Sequence, residues 1–86
     1  MIRKATETYA ATELDDELVL MNIDSGRFFA LKGTGLSIWN LIDGKRDANA
    51  IADALIQTYE VDHTTCLAEV ERFLGEMAGA GFVAHS

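Results

Sequence analysis

His63 and Cys66 stand three residues apart, the spacing at which two side chains on one helix meet and could share a metal ion or form a thiol–imidazole pair. The rest of the chain completes neither. A tetrahedral zinc site takes four ligands, usually from two such pairs, and the second histidine, His85, lies in the terminal tail. A nucleophilic cysteine needs a base that a third group orients, and nothing here supplies one. Cys66, the single cysteine, therefore reads as a small buried hydrophobe. Gly33-Thr34-Gly35 is a fragment of a phosphate-cradling loop with no Lys-Ser/Thr after it. It reads as a tight strand-to-helix turn with Thr34 as N-cap. Asp15, Asp16 and Glu17 could take a cation or a basic segment, but in a polar loop such charges are ordinarily solvated. No catalytic constellation remains.

Phe28 and Phe29 pose a different question. Neighbours on a strand point to opposite faces, so both cannot enter one core. If Phe29 and Leu31 face inward, Phe28 and Ala30 face away. Either another strand or the chain end covers the exposed aromatic, or the edge is built to accept an extended peptide as an added strand. Spacing alone leaves the two readings level.

The elements that must position these residues follow from pattern. "TETYAAT" (Thr6–Thr12) suggests a marginal strand, "LVLMNID" (Leu18–Asp24) a central one, and "RFFALK" a third strand after a hairpin turn at Asp24-Ser25-Gly26. The period then changes. Gly35, Ile38, Trp39 and Ile42 carry a first helix, with Trp39 as core anchor and Gly44 as stop. A second follows Asp47 as N-cap, and a third runs from Asp62 along Cys66, Val70, Phe73, Leu74 and Met77, fraying at Gly79–Gly81. "FVAH" forms a short last strand or simply packs. Three strands followed by three helices make an α+β chain, a small winged-helix-like domain with a three-stranded antiparallel sheet. With 86 residues, about half of them hydrophobic, and no linker, one domain spans 1–86.

Seven Lys plus Arg against fourteen Asp plus Glu leave a formal charge of −7, which repels phosphate backbones and anionic lipid. Nucleic acid is thus an unfavoured partner. No apolar run is long enough to span a bilayer, no signal segment directs export, and a lone cysteine suits a reducing compartment, so the expected location is the cytoplasm.

The succession "LVLMNIDSGRFFALKGTGLSIWNLIDG", "AIADALIQTYEVD" and "VERFLGEMAGAGFV" resembles the PqqD-like proteins, peptide-recognition elements of ribosomal natural-product pathways, from about Leu14 to Val83. Gly26, Phe28, Phe29, Leu31, Gly35, Ile38, Trp39, Tyr59, Val61, Asp62, Phe73, Leu74 and Gly81 occupy the places of that pattern. Lys32 departs from the frequent asparagine, and Glu69 stands where aspartate is common. The resemblance implies a noncatalytic domain that binds a precursor's leader as a further antiparallel strand, between the third strand and the third helix, with no cofactor. On that implication the backbone of Arg27, Phe28, Phe29, Ala30 and Leu31 pairs with the leader. Glu69 and Phe73, with Cys66, Val70 and Arg72 beside them, form the other wall. The implied partner enzyme is a leader protease with a cyclase, as in lasso-peptide pathways, or a radical enzyme, as in pyrroloquinoline-quinone synthesis. The rival from another class is a winged-helix DNA-binding regulator. Against it, the second helix has no Lys or Arg and the third only Arg72.

Overall fold

The computed structural model describes residues 2–85. Its elements run β1 (Ile2–Lys4), β2 (Tyr9–Leu14), β3 (Glu17–Asn22), β4 (Phe28–Leu31), α1 (Thr34–Asn40), α2 (Ala48–Ile56), α3 (His63–Gly79) and β5 (Val83–His85). The antiparallel sheet β2-β3-β4, followed by the helices, is the α+β arrangement expected. Beside it, β1 pairs antiparallel with β5 in a two-stranded ladder, with Lys4 opposite Val83. Of the "FVAH" segment, Val83–His85 therefore form a strand. Its partner Ile2–Lys4 is too short to show an alternating pattern.

Turn chemistry sets the strand limits. Thr8 N–H bonds Ala5 O at 2.9 Å, so Thr6–Thr8 form a turn and β2 starts at Tyr9 rather than Thr6. It then runs on through Glu13-Leu14 to a reversal in which Asp15 takes φ +50°, a left-handed position that aspartate tolerates better than most residues. At the next hairpin Gly26, φ +74°, donates to Asn22 O at 2.9 Å while Asn22 N–H donates to Arg27 O at 2.7 Å. This is a glycine bulge, which fixes the register of β4 on β3.

Helix ends follow local capping with two departures. Asp47 accepts from Ala50 N–H and Asp62 from Thr65 N–H, as N-caps should. The cap of α1 is Gly33, φ +61°, without a side-chain bond; Thr34 is instead the first helical residue. The strand-to-helix reversal needs a positive φ there, which threonine would adopt only with strain. The C-terminus of α3 does not fray. Gly81, φ +85°, donates to Ala78 O, and Phe82 N–H donates to Met77 O at 2.9 Å, a Schellman closure that buries Phe82 and Met77.

The core lies between the sheet and the helices. Leu20, Ile51, Val70 and Phe82 are wholly buried, with Trp39 close to it. Tyr9 and Phe29 both pack edge-on against Phe82, with ring centroids 6.0 and 5.4 Å away.

Candidate functional site

Among the described residues, the sheet order leaves one side of β4 without a neighbouring strand. Antiparallel residues alternate between pairs that exchange hydrogen bonds and pairs that do not. Because Asn22 bonds Arg27, the bonded pairs further along are Leu20–Phe29 and Leu18–Leu31, whereas Met21–Phe28 and Val19–Ala30 are unbonded. The N–H and C=O groups of Phe28 and Ala30 thus face the open side. Side chains alternate the other way about: Phe29 and Leu31 turn toward the core, while Phe28, 70% exposed, and Ala30 turn outward. Arg27 lays its guanidinium over the Phe29 ring, 5.7 Å from the centroid.

Beyond the end of β4 lies a groove of about 390 Å³. Lys32, Thr34, Gly35 and Ile38 line one wall, and Glu69, Arg72, Phe73 and Glu76 of α3 the other. Gly35 packs against the Phe73 ring, and a Cβ there would sit 3.4 Å from it, in ordinary van der Waals contact. A second cavity of about 260 Å³ adjoins it, sharing Thr34, Ile38 and Glu69, and runs under Tyr59 and Val61 to Val70 and Cys66. Tyr59 Oη lies 2.8 Å from Ser37 Oγ.

Of the residues singled out in sequence, Glu69, Arg72 and Phe73 come together at the groove, and Cys66 and Val70 line the adjoining cavity with Glu69. Arg27 to Leu31 line neither cavity; what they offer is the strand edge. Sequence reasoning passed over Lys32, Thr34 and Ile38 as wall residues, because turn and helix-stripe roles already accounted for them. Tyr59 and Val61 were legible in principle, as exposed apolar residues in a helix-to-helix link.

Electrostatics bear on the thiol. Burial pushes the Cys66 pKa up, and the carboxylates of Glu69 and Asp62 push it the same way; a nucleophilic thiol needs the opposite. Its Sγ points at Ala52 O, 3.9 Å away, whereas His63 Nε2 lies 3.0 Å from Asp53 Oδ1, so the two side chains engage different partners. The side chain of His85 lies outside the described residues. Asp15 and Asp16 are exposed, as solvated loop charges would be.

The large apolar side chains left exposed among the described residues fall into two groups. Tyr59 and Val61 stand at the cavity mouth. Leu14, Met21 and Phe28 share the outer face of the sheet with Val19 and Ala30, by the pairing of β2 and β4 on β3, and Ile23 follows at the same alternation.

A sheet edge left open beside a helix wall is an arrangement that can take an extended chain by main-chain bonds and sort it by alternate side chains. The chain belongs to the family described as coenzyme PQQ synthesis protein D (PqqD), whose model matches residues 17–83. Among solved structures it is similar to TbiB1 in complex with the TbiA(beta) leader peptide, at 28% identity over 93% of both chains with a TM-score of 0.82. It also shares the fold of a lasso peptide synthetase B1 complexed with the leader peptide, at 22% identity over 98% of both chains and a TM-score of 0.81. No curated protein matches the sequence. No helix among the described residues is long and apolar enough to cross a membrane.

Proposed function

We propose that this protein is a noncatalytic, cytoplasmic peptide-recognition domain spanning residues 1–86, which binds the leader of a ribosomal precursor peptide as an antiparallel strand on β4 and delivers it to a modifying enzyme. The observation that carries the reading is the pair of outward-facing amides, Phe28 and Ala30, beside the α3 groove. The similarity to TbiB1 with its bound leader peptide supports it.

An antiparallel leader enters at the Lys32 end and leaves at the Phe28 end. Its residues opposite Phe28 and Ala30 direct their side chains to the outer face, and those between them direct theirs toward α3. Glu69 and Phe73 serve as the main side-chain contacts, with Arg72 on the same wall and Cys66 and Val70 flooring the adjoining cavity. The outer sheet face, with Phe28, Met21, Ile23 and Leu14 exposed, is of the kind that a partner protein covers. The partner is the leader-cleaving protease of a lasso-type pathway, acting with a cyclase, or a radical enzyme of the quinone type. A DNA-binding role lacks its electrostatic basis: α3 sets Glu69, Glu71 and Glu76 around Arg72.

The test pans a displayed library of extended peptides, the TbiA(beta) leader among them, on the protein and titrates the tightest binder calorimetrically. Saturable binding that Ala30→Pro weakens supports the reading. Failure to enrich any peptide, together with salt-dependent binding of duplex DNA, overturns it.

A further inference from the structure

Asn22 is the buried polar side chain of the core among the described residues, and its hydrogen bonds run in two directions. Oδ1 accepts from the backbone N–H groups of Asp24 and Ser25, at 2.9 and 3.0 Å, closing the hairpin that leads into β4. Nδ2 donates 2.8 Å to the carbonyl of Ala80, the C-cap of α3. Among the described residues, this is the hydrogen bond that joins the β3–β4 hairpin to the end of α3. Its surroundings are built to receive it. Gly81 lies so close that a Cβ there would come within 2.6 Å of Nδ2, and the Thr8 hydroxyl donates to the Gly81 carbonyl, holding that turn from its other side.

The strand edge and the helix wall that would enclose a peptide are separate elements, and a separation error near 1 Å is enough to lose well-aligned hydrogen bonds. At one end α1, which follows β4, packs on α3 with Gly35 against the Phe73 ring. At the other they are tied by the Asn22–Ala80 hydrogen bond and by the Phe29 ring packed edge-on against Phe82. We infer that Asn22 is a positioning residue for peptide capture: through its bond to Ala80 it fixes how far the β4 edge stands from α3, without touching the peptide. The inference rests on the peptide-binding reading above and adds to it a residue whose role is to hold the two walls in register.

Aspartate separates the two halves of this role. Asn22→Asp keeps an acceptor for Asp24 and Ser25, but presents a carboxylate oxygen to the Ala80 carbonyl in place of the donor. The probe is the panned peptide, fluorescein-labelled, with trimethylamine N-oxide present to keep each variant folded. Asn22→Asp should bind roughly tenfold more weakly than wild type at neutral pH. The ratio of the two affinities should return toward one as the pH is lowered to about 5, where a buried carboxyl regains a proton and can donate. Ile51→Val, a core change in α2, lowers stability and leaves affinity unchanged. Gly81→Ala presses on Nδ2 from the α3 side and should weaken binding in the same sense, so it decides the matter if Asn22→Asp does not fold. A folded Asn22→Asp or Gly81→Ala that binds like wild type overturns the inference, as does a loss that persists at low pH. Peptide binding that Ala30→Pro leaves intact instead overturns the placement of the peptide on the β4 edge, on which the inference rests.

Discussion

Proline at position 30 separates the open side of β4 from its paired side. Ala30 is an exposed residue in an unbonded pair with Val19, so the substitution removes a donor that the sheet does not use. Proline is tolerated on edge strands when its missing N–H faces outward. The fold should lose about 1 kcal/mol, mostly from drawing φ toward −65°. Binding has more to lose, because the Ala30 N–H would meet a leader carbonyl and the ring displaces the chain that should pair beside Phe28. One or two main-chain bonds amount to about 1–3 kcal/mol, a rise of roughly five- to 150-fold in Kd. Phe29→Pro is the opposite case. Its N–H belongs to the Leu20–Phe29 pair, and its ring packs 5.4 Å from Phe82, so losing both should cost about 3–5 kcal/mol and unfold much of the protein. Circular dichroism and calorimetric titration of the panned peptide read the two effects separately. If Ala30→Pro stays folded and binds like wild type, or if Phe29→Pro proves stable and selectively fails to bind, the assignment of edge directions is wrong.

Four further outcomes follow from the same geometry. Glu69→Lys, an exposed change on the groove wall, should weaken the peptide by about 1–2 kcal/mol by calorimetry and leave the helical signal intact. Cys66, with its thiol buried and its pKa raised, should react with an alkylating reagent only as fast as the protein opens, and Cys66→Ser should keep most of the peptide affinity. Hydrogen bonds from Thr65, its backbone N–H first, hold the Asp62 carboxyl below its ordinary pKa. The folded value lies under the unfolded one, so the stabilisation is present above about pH 4 and is lost as pH falls through the folded value; Asp62→Asn should flatten acid unfolding curves in that window. Duplex DNA should not bind measurably at physiological salt in a gel-shift series.

The strands and helices were legible where one residue decides the local geometry: Gly26 for the hairpin, Asp47 and Asp62 for the helix starts, and the Ile38-Trp39 stripe for the buried face of α1. The misplacements also have local causes. Thr34 looked like a cap because cap preference was read without the backbone reversal, and it is Gly33 that takes the positive φ. Gly79–Gly81 looked like a frayed end because glycine weakens a helix, whereas Gly81 closes this one by bonding back to Ala78. The β1–β5 ladder joins residues from the two ends of the chain, and no local pattern encodes such a pairing. As for the candidate site, alternation already set Phe28 against Phe29, but which amides face outward depends on the bulge at Gly26. The role of Asn22 was hidden because its partner Ala80 is 58 residues away.

Hydrogen exchange at two amides tests the account most directly. In the free protein the N–H groups of Phe28 and Ala30 should exchange quickly, while those of Phe29 and Leu31, bonded to β3, exchange slowly. Saturation with the panned peptide should slow Phe28 and Ala30 together, in the alternating pattern that an added strand imposes. Protection that appears elsewhere on the protein, with these two amides still exchanging freely at saturation, would contradict the claim that β4 receives the peptide.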